Sequence, residues 1–190
     1  MLLSVCVRTY NQKQYLKECL DSILMQKTEF DYDIIIADDC SVDGTVDLLL
    51  EYQKKNPLII RLLLGQHVGG TANLKRVIEA SEAKYIALCD GDDYWTDVYK
   101  LQKQVDILES HQNCVGCFHN VLNRYENSNM KPNYFLPIDF PTWNTWKDIV
   151  NKRWFLPING EVIKRQCVYF PKWYQSVMND DYVMNLMIAV

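Results

Sequence analysis

Two rhythms of apolar residues alternate along the first half of the chain. Short unbroken apolar runs at Leu2 to Val7, Ile34 to Ala37, Leu58 to Leu64 and Tyr85 to Cys89 predict strands buried on both faces. Between them the apolar spacing turns helical. Tyr15, Leu16, Cys19, Leu20, Ile23 and Leu24 predict an amphipathic helix from Lys13 to Met25. Gly44 opens a second helix with Val46, Leu49, Leu50 and Tyr52 on its apolar face, closed by Asn56-Pro57, and Thr71 to Glu82 forms a third. Strands alternating with helices across short loops imply right-handed crossovers. The fold class expected is therefore α/β, a mostly parallel sheet flanked by helices in three α/β/α layers.

The rhythm changes after Asp93. A helix from Asp97 to Glu109 leads into a further strand at Cys114 to His119, and the Asn- and Pro-rich stretch from Asn127 to Pro141 reads as a loop. Asn144 is the expected cap of a short helix carrying Trp146, Ile149 and Val150. From Asp180 to Val190 a last helix starts on acids, which the helix dipole favours, and ends on an apolar stretch without Gly, Lys or Arg. That ending reads as a chain shortened at its C-terminal side. Without repeats, low-complexity tracts or linkers, residues 1–190 are expected to form a single domain.

Composition narrows the partners more than the fold. With 48% hydrophobic and 23% charged residues the chain is that of an ordinary soluble protein, and a net charge of −4 without a basic stripe argues against nucleic acid. No run is long enough for a membrane span, and Leu2 to Val7 is too short for a signal-peptide core before it meets Arg8. Seven cysteines, an odd number, lie partly within apolar runs (Cys6, Cys89, Cys117) and suit a reducing cytoplasm. Cys114-Val115-Gly116-Cys117 with His119 lacks a fourth ligand, so buried thiols are preferred to zinc. Of Trp95, Trp143, Trp146, Trp154 and Trp173, most are expected in an aromatic core rather than on sugar-stacking platforms.

The chemistry lies in acids that follow two of the strands. Asp38-Asp39 ends one, and Asp90-Gly91-Asp92-Asp93 ends another. Open α/β sheets bind ligands at this carboxyl edge. Three acids within four residues repel one another unless a cation sits among them. Their hard oxygens suit Mn²⁺ or Mg²⁺ carrying a nucleotide diphosphate. Asp38, Ser41, Asp43 and Gly44 are equally good turn formers, and a turn role is kept for Asp38. Gly65-Gln66-His67-Val68-Gly69-Gly70 precedes a helix but matches neither phosphate-binding glycine motif, and it reads as a plain loop.

Four segments resemble the inverting family-two glycosyltransferases, whose fold is called GT-A. Ser4-Val5-Cys6-Val7-Arg8-Thr9-Tyr10-Asn11 is similar to their opening strand and turn. Asp38-Asp39-Cys40-Ser41-Val42-Asp43-Gly44-Thr45 is similar to their second turn, and Lys84 to Asp93 to the strand bearing the metal-binding D-x-D motif. Asp181, at the start of its helix, is similar to the acid that serves as catalytic base. Two positions depart from the pattern, Arg8 standing for the usual proline and Cys40 for the usual glycine. The likeness is strong through Asp93 and weak from Asn120 to Met178, and the family usually continues past the base-bearing helix.

The resemblance implies a metal-dependent inverting glycosyltransferase that takes a nucleotide-sugar donor, UDP-linked by preference, and a glycan or lipid-linked saccharide acceptor. Thr9 and Tyr10 would wall the base, Asp39 would accept a pyrimidine N–H, and Asp90 would face the ribose. Asp92 would be the first metal ligand with Asp93 beside it, and Asp181, with Asp180 as fallback, would be the general base. The location implied is cytoplasmic, with peripheral association at the inner membrane face left open. Two rivals stand beside this reading. A nucleotidyltransferase would carry a glycine-rich loop after the first strand, and Thr9 to Lys13 offers none. A nucleotide-binding domain inactive for want of its C-terminal segment would bind UDP and metal without transferring sugar.

Overall fold

The computed structural model describes residues 1–126, 128–152 and 155–189. Asn127, where the expected loop begins, Trp154 and the helix end expected at Val190 lie outside the described residues. The first half runs β1 (Leu3–Thr9), α1 (Lys13–Leu24), β2 (Tyr32–Asp38), α2 (Thr45–Lys55), β3 (Ile60–Leu63), α3 (Gly70–Glu79) and β4 (Tyr85–Asp90). These strands lie parallel in the order β3-β2-β1-β4, with Thr9 opposite Asp38 and Arg8 opposite Asp90, so the three acid-bearing or polar tips line up at one edge.

The strands are apolar on both sides because both sides are covered. On one face Val5, Val7, Ile34, Ile36 and Ala87 pack against Leu16, Leu20 and Ile23 of α1, Leu49 of α2 and the apolar stripe of α4 (Lys100–Ser110). On the other, Cys6, Ile35, Ala37, Ile86 and Leu88 meet Leu74, Val77 and Ile78 of α3, with Tyr174 and Met184 beyond them. Each fully buried aliphatic side chain contributes about 1.5–3 kcal/mol of transfer free energy. The three-layer α/β/α arrangement follows directly from that two-sided burial.

The second half closes the sheet in a way the apolar pattern does not announce. β5 (Gly116–Cys117) is far shorter than the strand expected at Cys114 to His119. It pairs antiparallel with β8 (Val162–Lys164), which in turn pairs antiparallel with β4. The expected loop contains β7 (Asn133–Tyr134), paired with β6 (Leu122–Asn123) in a small hairpin. The helix after it, α5 (Trp146–Lys152), is capped by Thr145 rather than Asn144. The Thr145 N–H and hydroxyl both donate to Asp148 Oδ2, at 2.8 and 2.9 Å, while Asn144 Nδ2 donates to the Pro141 carbonyl. The last helix, α6 (Asp180–Ile188), leans on α3's layer and on a small cluster of Leu136, Ile149 and Phe155.

Candidate active site at the carboxyl edge of the sheet

β4 delivers Asp90, and the turn after it brings Asp92 and Asp93 back towards it, so that one ligand atom from each lies within 4.8 Å of the others. The turn is tight against β1: a Cβ on Gly91 would stand 2.9 Å from Thr9 Cβ and 2.6 Å from Gln12 Oε1. The crowding raises carboxylate pKa values. Burial, then the Asp90 and Asp92 charges, push Asp93 up to about 7, against the pull of the Asn159 side chain and Arg8. Partial desolvation of its carboxyl and the Asp90 charge raise Asp92 as well. Two acids held above their ordinary range beside a third are a set that a divalent cation would stabilise.

The cation already present is Arg8. It is the one charged residue of the central strand β1, legible in the sequence as the charge that ends the first apolar run and as a departure from proline. Its Nε and second terminal nitrogen donate to Asp90 Oδ1 and Oδ2 at 2.6 and 3.1 Å, a bidentate fork, and its remaining terminal nitrogen donates to Asp180 Oδ2 at 2.7 Å. Burial works against the guanidinium charge, and the two carboxylates outweigh it, so the Arg8 pKa is raised. Asp90 is thus engaged by Arg8, and among the described residues Asp92 and Asp93 form no salt bridge.

Asp181 lies beside Asp180 in the first turn of α6 and is 7% exposed. Its backbone N–H donates to Asp180 Oδ1, and its own Oδ1 accepts the Tyr182 N–H at 2.8 Å. Burial raises its pKa, Asp180 adds to the rise, and the Tyr182 bond and Arg8 oppose it. Since one guanidinium spans Asp90 and Asp180, the start of α6 stands within a side chain's reach of the β4 acids.

The β1 and β2 tips carry the turn expected of Asp38 and a loop contact at Asp39 that was not expected. Asp38 makes the turn: it accepts the Ser41 N–H and hydroxyl at 2.9 and 2.5 Å. Cys40 keeps the left-handed conformation suited to the glycine it replaces, with φ 68°. Asp39, 2% exposed, accepts the Val68 and Gly69 N–H groups at 2.7 and 2.9 Å, and His67 Nδ1 lies 2.9 Å from its Oδ2. Asp39 therefore holds the His67–Gly69 loop in this structure, and that loop's amides are directed at Asp39. Tyr10 is half exposed with its ring 5.1 Å from that of His67, while Thr9 is buried with its hydroxyl unpartnered among the described residues. The sequence reading did not foresee the His67 contact, because nothing local links positions 39 and 67.

A cleft of about 620 Å³ opens beside Asp92 and Asp93, lined among others by Tyr94, Trp95, Lys103, His119 and Arg124. Two buried groups behind it were also missed. Lys100 lies under Trp95, with Nζ 4.0 Å from the ring centroid, and burial lowers its pKa to about 7. Glu161 is 2% exposed and bonded to Asn185 of α6. Gln104 Nε2 approaches Cys117 Sγ at 3.9 Å, and His119 Nδ1 lies 2.8 Å from the Asn120 carbonyl oxygen.

Residues 4–177 match the family model described as Glycosyl transferase family 2. The chain belongs to that family. An uncharacterised protein of Mycobacterium tuberculosis is 39% identical over 173 residues, covering 88% of this chain and 48% of its own length. The putative teichuronic acid biosynthesis glycosyltransferase TuaG of Bacillus subtilis is 34% identical over 107 residues, covering 56% and 42%. The chain therefore spans about half the length of the curated relatives it matches. Among solved structures, Staphylococcus aureus TarS in complex with UDP superposes with a TM-score of 0.71 at 19% identity, over 98% of this chain and 55% of that one. The mannosyltransferase PcManGT of Pyrobaculum calidifontis, in complex with GDP-Man and Mn²⁺, gives 0.70 at 19%, over 99% and 52%. These two likenesses establish the GT-A type of fold. Among the described residues no helix is long and apolar enough to cross a membrane.

Proposed function

We propose that this chain is the donor-binding and catalytic unit of an inverting glycosyltransferase, acting on a nucleotide sugar, UDP-linked by preference, and a glycan or lipid-linked saccharide acceptor. The observation that carries the reading is the gathering of Asp90, Asp92 and Asp93 at the carboxyl edge of the sheet, with the start of α6 tied to the same place through Arg8. Family membership and the UDP and GDP-Man complexes of its structural neighbours support it.

The acids fit a hard divalent ion such as Mn²⁺ or Mg²⁺: all donors are carboxylate oxygens, and their mutual distances allow one ion to be shared. Asp92 would be the first ligand and Asp93 its helper, since both Asp90 oxygens already accept from Arg8. When bound, the ion offsets charge on the departing diphosphate. Asp90 faces the ribose. Thr9 and Tyr10 wall the base, and Asp39 accepts a pyrimidine N–H in place of one of the loop amides it holds in the free protein. In the transfer, the acceptor oxygen bonds to the anomeric carbon on the face opposite the diphosphate. The carbon–oxygen bond to the diphosphate breaks with its electron pair on the leaving group, and Asp181 takes the acceptor's proton. A carboxylate raised by burial is a stronger base than a solvated one.

Calorimetric titration with UDP, GDP and CDP, with and without Mn²⁺, tests the site. Metal-dependent preference for one nucleotide, lost at least a hundredfold in Asp92→Ala, is the expected result. Unchanged affinity in that variant refutes the metal assignment. Asp181→Asn should bind donor normally and transfer no sugar, and normal turnover removes Asp181 as base.

A further inference from the structure

Arg8 does more than neutralise an acid. Its fork occupies both oxygens of Asp90 on β4, and its third nitrogen reaches Asp180 on α6, joining residues 82 and 172 positions away along the chain. Asp180 is itself fixed at both ends. Its Oδ1 accepts the Asp181 N–H at 3.0 Å and its carbonyl accepts the Tyr174 hydroxyl at 2.8 Å. The guanidinium therefore stands one residue from Asp181 on one side and holds the acid that leads into the Asp92-Asp93 turn on the other. The side chains of Arg8, Asp90 and Asp180 are 20%, 22% and 12% exposed, so this link is little weakened by solvent.

We infer that Arg8 is a positioning residue, tying the first turn of α6 to the tip of β4 so that Asp181 and the metal-side acids keep one fixed separation. The inference rests on the functional reading above. A proline at position 8 would have neither charge nor donors for such a link. Three features of arginine are used at once: its planar fork, its third nitrogen and its permanent charge. Lysine at position 8 would reach one carboxylate as a point charge and release the other.

The tether predicts a particular pattern of failure. Without it, the donor still meets Asp92, Asp93 and the β1 and β2 tips, but Asp181 loses its fixed distance from the reacting carbon. A misplacement of about 1 Å costs on the order of a hundredfold in rate. Arg8→Gln and Asp180→Asn should each lower kcat at least tenfold, and Asp180→Asn, which leaves the Arg8–Asp90 fork in place, should keep donor KM and UDP affinity within about threefold. In Asp180→Asn the amide oxygen could still accept the Asp181 N–H, so that variant removes the ion pair and spares the helix turn. The double variant should be no worse than the poorer single one, because both cut the same link. Arg8→Lys should recover only part of the loss.

Backbone hydrogen exchange over residues 181–184 supplies a readout independent of turnover, and it should accelerate in both single variants while exchange in β1 and β4 holds. A wild-type chain that binds no nucleotide and transfers no sugar refutes the functional reading, and the exchange pattern still decides the tether. Unchanged exchange in α6, additive losses in the double variant, or a raised KM with unchanged kcat overturns the proposal.

Discussion

Replacing Glu161 by glutamine should stabilise the protein increasingly as the pH rises. The carboxyl of Glu161 has few partners: Asn185 Nδ2 donates to Oε1 at 2.7 Å, while Oε2 and Asn185 Oδ1 are both buried without a partner among the described residues. Burial pushes its pKa from 4.5 up to about 8, and Asp181 on α6 adds to the rise. Asn185 and Lys100, the latter on α4, act against it. The folded state thus keeps a proton that the unfolded chain gives up from pH 4.5, so stability falls as pH rises through 4.5 to about 8 and levels off above. At 1.36 kcal/mol per pH unit, the wild type loses about 1 kcal/mol at pH 5, about 3 at pH 7 and between about 4 and 5 at pH 8.5. Glutamine escapes this cost. Its amide oxygen can take the place of Oε1 and keep the bond from Asn185 Nδ2 with no charge to bury.

Urea denaturation at the three pH values measures this directly, because the difference between variant and wild type isolates one group from every other titration. The expected advantage of Glu161→Gln grows by about 2.5 kcal/mol from pH 5 to pH 7 and by about 4 kcal/mol from pH 5 to pH 8.5. The alternative is an ionised Glu161 paired with a charged Lys100. Cutting a buried ion pair costs about 3–5 kcal/mol. An advantage that does not change with pH, or a loss of that size at pH 8.5, would show that Glu161 is not protonated in the folded protein.

Two smaller changes probe the strand tips. Cys40→Gly should stabilise the protein by about 0.5–1 kcal/mol, the left-handed strain of about 1–2 kcal/mol less the entropy glycine adds to the unfolded chain; a lower melting temperature would refute this. Gly91→Ala should cost about 1–3 kcal/mol in urea and weaken Mn²⁺-dependent nucleotide binding. Its new Cβ meets the buried Thr9 side chain at 2.9 Å, so β1 or the acidic turn must move. Wild-type stability and affinity in that variant would mean the turn is looser than its geometry.

Much of the site was legible because its residues are local to strand ends. An apolar run followed by Asp90-Gly91-Asp92-Asp93 places three carboxylates on one turn whatever the rest of the chain does. The same holds for the Asp38 turn, where side chain and partner are three residues apart. Arg8 was visible as a charge in a central strand, yet its partners were not. The Asp39 loop contacts, the Glu161–Asn185 pair and β8 depend on segments that are neither adjacent nor periodic. β8 has only Val162, Ile163 and Lys164, too few residues for an alternation to show.

The alternating strands and helices, the two-sided burial of the four parallel strands and the acids at their carboxyl edge are written in the amino-acid sequence. Each of these is set by periodicity or by neighbours within a few positions, where backbone geometry fixes which side chains share a face. The tertiary structure alone shows that Arg8 joins Asp90 to Asp180, that Asp39 holds the His67 loop, and that the first turn of α6 is thereby tied to the tip of β4. Those pairings form between side chains 28 to 172 positions apart, and the chain's crossovers and packing, not its local pattern, bring them within hydrogen-bond distance.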